Sequence, residues 1–333
     1  MIGDKMKTPL GTRRSCLKLL SALPLVSTPL IGRTQGPWPS KAITLVVPVS
    51  PGGVVDLVPR TMLPSITRSL GQAVVVDNKP GADLAIGAGH VARSAPDGYT
   101  LLAGSIPLTT NPVIKKVPYD PIADFVAVSL LGTTSVVAVV PPSLGVSTLQ
   151  EFIALAKKST EGLNYANSAT AGLVHLNTEL LAEAAGIKLQ GVLYKGQSPA
   201  LTDLMAGRVQ IMLASPATVA GQISSGSLRP LAVTGKSRSS LMPDVPTFIE
   251  AGFPNVNIDS WIGILAPAKT PQDIVVKANA AFNAALSDPA VVGQLDKMGV
   301  VAAQPSAPMA LRSIMQAEVQ RWPKMFEKLG IRA

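Results

Sequence analysis

From Lys41 onward, apolar residues come in short unbroken runs separated by Gly- and Pro-rich turns and by stretches of helical period. Ile43 to Val47 is such a run, β-branched and uninterrupted, as expected of a strand covered on both faces of a parallel sheet. Pro51-Gly52-Gly53 turns the chain into a predicted helix from Val55 to Leu70. Ala73 to Val76 is the next strand, Asn78-Lys79-Pro80-Gly81 a turn, and Leu84 to Ser94 a helix. Pro96-Asp97-Gly98 marks another turn before a strand from Tyr99 to Ala103.

Phe125 to Val140 is long, apolar and Val-rich, ends at Pro141-Pro142, and reads as one strand leaving a first lobe. Thr148 opens a helix from Leu149 to Lys158, and a second alternation begins. Its strands are Leu163 to Ala166, Gln190 to Tyr194, Gln210 to Ala214 and Leu231 to Thr234. Helices Leu173 to Ala185, Pro199 to Ala206 and Thr218 to Ser225 lie between them. Ser260 to Pro267 is a strand whose natural place is back in the first sheet, and helices Pro271 to Leu286 and Ala307 to Leu329 close the chain. The prediction is an α/β protein of two lobes, each an open, mostly parallel sheet with helices on both faces. The expected division is 37–142 for the first part of lobe one, 143–236 for lobe two and 237–333 for the return.

The front of the chain breaks this pattern. Arg13, Arg14 and Lys18 precede an apolar run from Leu17 to Ile31 that Pro24 and Pro29 interrupt. Such a run is too short and broken for a membrane span, and it reads as an export signal over 1–36. Thr12 to Lys18 resembles the twin-arginine signal, with Cys16 where that pattern carries an aromatic residue. Residues 1–36 hold six basic residues and one acid, and so carry five of the nine formal positive charges. The basic balance is therefore weak support for nucleic-acid binding. The only cysteine, Cys16, lies in the same segment, so the exported chain has neither disulfide nor thiolate chemistry.

In open α/β sheets, ligands sit outside the carboxyl ends of the strands, where turns lead into helix N-termini. Two turns fit. In Ser50-Pro51-Gly52-Gly53, with Asp56 following, the glycines let successive N–H groups face one anion. In the second, Ser168, Thr170 and Gly172 precede the helix that carries His175. A carboxylate at either would meet unpaired amides and the positive end of a helix dipole. Plainer readings stand beside these: Pro-Gly-Gly as a turn, Ser168, Thr170 and Asp56 as helix caps, His175 as a packing residue. Two separated histidines give no metal spacing, and no nucleophile elbow, Walker loop or dinucleotide fingerprint is present. No cofactor and no catalysis are expected.

Several strings then recur in one order: Trp38 to Pro48, Ser50-Pro51-Gly52-Gly53 with Asp56, Asn78 to Ala82, Ala95 to Leu102, Val117 to Pro121 and Leu163 to Ala166. Tyr194-Lys195-Gly196, Pro199 to Leu204, Leu231 to Thr234 and Pro243 to Thr247 complete the set. Together they resemble the Bug-type (TctC-like) substrate-binding proteins of tripartite tricarboxylate transporters, from about Trp38 to Leu329. The resemblance implies a Venus-flytrap fold of the type II periplasmic class, a periplasmic location, and a monomer that delivers a small carboxylate to integral-membrane transporter subunits. It implies ligand contacts at Ser50, Pro51, Gly52 and Gly53 with Asp56 nearby, facing Ser168, Thr170, Gly172, His175, Lys195 and Gly196. Ala214 and Ser215 stand where the family has an acid and Asn, which favours an organic acid over an amino acid and puts Ser215 in the site. Asp83 and Leu84 replace two glycines of a further turn, and Val54-Val55 imply a narrower, drier pocket. The same fold could instead present a metabolite to a two-component sensor, without a transporter of its own.

Overall fold

The computed structural model describes residues 38–167, 172–194 and 196–331. The export-signal reading therefore lies outside the described residues, as do Ser168, Thr170 and Lys195.

The first sheet is laid down by β1 (Ile43–Val47), β2 (Val74–Asn78) and β3 (Thr100–Ser105), and completed by β4 (Phe125–Thr134). The second contains β5 (Val137–Val140), β6 (Leu163–Asn167), β7 (Leu189–Leu193), β8 (Ile211–Ala214) and β9 (Arg229–Val233). The chain then returns to the first with β10 (Ser260–Pro267) and β11 (Val300–Ala302). The sheet orders are β11-β4-β10-β3-β1-β2 and β7-β6-β8-β5-β9. β1 is parallel to both its neighbours, and four of its five residues are fully buried. Double-sided burial explains why this strand shows no polar alternation.

Most strands in each sheet run one way, and the exceptions are informative. β10 and β11 run against β4 in the first sheet, and β5 runs against β8 and β9 in the second. The run from Phe125 to Val140 is thus not one strand. It breaks at Ser135-Val136 into β4 and β5, which belong to different sheets. The polar Thr133-Thr134-Ser135 inside an otherwise apolar run marks the crossing.

Helices α1 (Val54–Leu70), α2 (Ala85–Ala92) and α3 (Pro107–Ile114) serve the first sheet. The second half adds α4 (Leu149–Lys158), α5 (Leu173–Ala185), α6 (Gln197–Met205) and α7 (Pro216–Ser224). Then come α8 (Gln272–Leu286), α9 (Pro289–Lys297) and α10 (Met309–Lys328). α3, α9 and β11 were not expected from the sequence. A core of β1, α1 and α8 side chains covers one face of the first sheet. A second core is continuous from Trp261, Trp322 and Phe326 to Leu176 and Leu181, so α10 and α5 share apolar packing across the two sheets.

The two chain crossings are tied to each other. Thr234 N donates to Val136 O at 2.8 Å, Val136 N donates to Thr234 Oγ1 at 3.0 Å, and that hydroxyl donates to Asp259 at 2.7 Å. Asn177 on α5 holds the returning chain by donating to Ile258 O and accepting from Ile258 N.

Candidate functional site

A cavity of about 750 Å³ opens between the carboxyl ends of the two sheets. The first sheet contributes the turn after β1 (Pro48 to Ser50, Val54, Val55), the turn after β2 (Pro80 to Leu84) and the β3–α3 junction (Ser105 to Pro107). The second contributes Asn167, Gly172 to Val174, Gln197 and Ser215, and the crossings add Thr134 to Val136 and Ser260.

The helices that start here have no side-chain N-caps, as is also true of α8 and α10. The N-cap residues of α1, α2, α3, α5, α6 and α7 are Gly53, Leu84, Ile106, Gly172, Gly196 and Ser215, and none caps its helix through a side chain. By contrast, Thr148 caps α4 and Asp288 caps α9. A helix start without a side-chain cap leaves its first N–H groups to backbone, solvent or a ligand at the positive end of its dipole; at α2 the turn itself takes them, Ala85 N donating to Ala82 O and Ile86 N to Gly81 O. The described lining of the cavity contains no lysine, arginine or histidine. The donors that the described lining offers an anion are therefore neutral.

The one ionisable side chain in the described lining, Asp83, is engaged by Lys115 at 2.5 Å. Asp83 belongs to a run of three non-glycine residues, Ala82, Asp83 and Leu84, with φ of 47°, 49° and 77°. Each such residue costs about 1–2 kcal/mol of backbone strain, so the run has to be held by its surroundings. Asn111 Nδ2 donates to Asp83 O, and Leu84 is buried in the cavity wall. The turn thus keeps a left-handed backbone without glycine and still faces the cavity.

Of the residues singled out in the sequence, Ser50, Gly172 and Ser215 line the cavity. Pro51, Gly52 and Gly53 form the exposed turn between two lining residues, Ser50 and Val54, and Gly196 directly precedes the lining Gln197. Gly52 has φ of 93°, which a side chain would strain.

Asp56 is turned away from the cavity. It is buried and accepts from Gly52 N (3.0 Å), Arg60 Nε (2.9 Å) and Asn78 Nδ2 (2.9 Å), while Asn78 Nδ2 also donates to Val49 O. Burial pushes its pKa up, but the hydrogen bonds from Gly52, Asn78 and Arg60 outweigh burial and hold it below the ordinary carboxylate value. Asp56 therefore braces the turn from behind. His175 is not among the described lining residues. Its ring stacks on Tyr165, and Nε2 lies 3.7 Å from Glu179, which accepts from the Tyr165 hydroxyl at 2.7 Å. Burial lowers the His175 pKa against the opposing charge of Glu179, which keeps the ring neutral at neutral pH.

Asn167, Leu173 and Val174 flank the second turn read from the sequence, although they were not singled out as contacts; Gln197, the β3–α3 junction and the crossing at Thr134 to Val136 were not anticipated. Pro107 was the available signal for the junction, since proline favours the first turn of a helix.

The same architecture occurs in known proteins. Residues 58–331 match the model of the tripartite tricarboxylate transporter family receptor. Protein BugT of Bordetella pertussis is 35% identical over 296 residues, covering 88% of this chain and 90% of BugT. The structure of periplasmic binding protein BugD superposes with a TM-score of 0.74 at 31% identity, covering 89% of this chain and 99% of BugD. An R. palustris protein solved with adipate superposes with a TM-score of 0.77 at 32% identity, covering 89% of this chain and 99% of that one. The chain belongs to the tripartite tricarboxylate transporter family receptors, a family of two-lobed periplasmic binding proteins rather than enzymes.

Proposed function

We propose that this protein is a periplasmic receptor that closes its two lobes on a small carboxylate and delivers it, as a monomer, to integral-membrane subunits of a tripartite tricarboxylate transporter. The observation that carries this reading is the convergence of uncapped helix N-termini on one cavity whose described lining holds no basic side chain. Such a site offers neutral, preoriented donors to an anion. The adipate carried by a relative of the same fold supports the ligand class. An organic acid is favoured over an amino acid, because Asp83 is paired with Lys115 and the described lining holds no other carboxylate for an ammonium group.

In this reading the Ser50–Gly53 turn faces Gly172, Gly196 and Ser215, and Val54, Val55, Leu84, Leu173 and Val174 form apolar walls around the ligand body. Ser168, Thr170 and Lys195 complete the second lobe's side. Residues 37–142 with 237–333 form one lobe and 143–236 the other, with β5 reassigned to the second by its pairing with β8 and β9. Residues 1–36 direct export. Ligand binding shifts an open–closed equilibrium by its preference for the closed form.

Gly53→Val tests the first turn. A Cβ there meets nothing closer than Ser50 O at 3.9 Å, so the fold accommodates the side chain. The branched side chain is expected to screen the start of α1 and weaken binding of the preferred acid at least tenfold, with little change in melting. Unchanged affinity in titration calorimetry would remove this turn from the site.

A further inference from the structure

A second cavity, of about 700 Å³, lies where α10 meets α5 and the returning segment around Asn255. It shares no lining residue with the cleft. Arg321, Lys324 and Lys328 line it at helical spacings of three and four, which places them on one face of α10. Lys328 pairs with Glu183 of α5 at 2.5 Å, and Glu183 is the one acid in the described lining. Lys324 makes no ion pair among the described residues. Arg321 makes none either: its guanidinium lies over the Trp322 ring at 5.2 Å. The nearby carboxylate of Glu318 is committed to Thr109 and Trp261. The cavity thus has two cations in excess of its acid.

Neutral donors stand opposite. Asn257 Oδ1 accepts from Gly235 N at 2.8 Å, which orients the amide and leaves Nδ2 able to donate. Asn255 adds a second amide. A guanidinium fork, ammonium groups on the same helix face and two amides match an anion with several oxygens and more than one charge.

We propose that this cavity is a second anion-binding site, distinct from the carboxylate cleft, and that it takes a small polyanion of the phosphate class. Its walls join the helix packed on β4 and α3 of the first sheet to the helix packed on β6 and β8 of the second. A bound polyanion would bridge both bodies at their rear seam.

The test uses inorganic pyrophosphate on the purified protein, at constant ionic strength and with no carboxylate ligand present. Calorimetry is expected to show one saturable site. Arg321→Gln combined with Lys324→Gln should weaken it at least tenfold, while Lys157→Gln with Lys158→Gln, an exposed basic pair on α4, should leave it unchanged. Glutamine retains part of each aliphatic stem, so α10 packing is preserved, and a melting curve of each variant verifies folding. Absence of saturable binding, or equal weakening by both pairs of substitutions, would overturn the proposal. Cleft binding is measured separately with carboxylates, so either site can fail without the other.

Discussion

Asp56→Ala is expected to lower the stability of the protein by about 2–4 kcal/mol and to abolish carboxylate binding at the same time. The carboxylate is the common acceptor for Gly52 N, Arg60 and Asn78, and so fastens the Ser50–Gly53 turn to the end of β2. Truncation leaves those donors without their acceptor. Arg60 is 40% exposed and regains water, which places the loss toward the lower end of that range. The pH dependence carries a signature. Because the folded-state pKa lies below the ordinary 3.8, the contribution of Asp56 is fully present above that value and is lost as pH falls through the lower folded-state value. Urea melts from pH 2.5 to 7 should show this acid limb in the wild type and a diminished one in the variant. Wild-type stability and affinity in Asp56→Ala would show that the turn holds itself.

The opposite sign is expected at Glu318. Its carboxylate is 8% exposed and accepts from Thr109 Oγ1 at 2.6 Å and Trp261 Nε1 at 2.9 Å, while Trp322 Nε1 donates to the same Thr109 hydroxyl at 3.0 Å. Burial pushes the carboxyl up to about 7, against the hydrogen bonds of Thr109 and Trp261 and the charge of Arg321, which pull it down. Between the ordinary 4.5 and about 7 the folded protein therefore holds more protons than the unfolded chain, so this group makes stability fall as pH rises through that window. At 1.36 kcal/mol per unit, the effect is on the order of 3 kcal/mol. Glu318→Gln keeps an acceptor for the two donors and removes the charge. It is expected to be more stable than the wild type at pH 8, by about 2–3 kcal/mol, and nearly equal to it at pH 4. A variant less stable than the wild type at pH 8 would show that the charged form is the better-satisfied one.

The strand–turn–helix alternation was legible because double-sided burial writes itself as unbroken apolar runs, as in Ile43–Val47. It failed where burial continues while the chain changes sheet. Ser135-Val136 divides a run that is apolar on either side because β4 and β5 are each interior strands, and the polar Thr133-Thr134-Ser135 interrupt it. β11 has three residues, too few to show a period, and α3 carries Thr109, Thr110 and Asn111 buried, so no polar face marks it as a helix.

The cavity lining was legible where glycine and proline announce a turn, at Ser50 and Gly172. It was illegible where partners are remote. Asp56 is satisfied by Asn78, 22 residues away, and His175 by Tyr165 on a neighbouring strand. No local pattern records that these side chains are already occupied. The left-handed run at Ala82–Leu84 hides for a related reason: it is held by Asn111 of α3 and by Lys115 just past that helix, not by its own residue types.

The most direct measurement is titration calorimetry of mono-, di- and tricarboxylates into the wild type and into Val174→Glu, which places a charge in the cleft wall at the first turn of α5. The expected result is one-to-one saturable binding of a carboxylate by the wild type and at least a hundredfold loss in the variant, whose fold is verified by circular dichroism. Equal affinity in both proteins would contradict a carboxylate held between the two sheets, and binding of amino acids alone would contradict the preference for an organic acid.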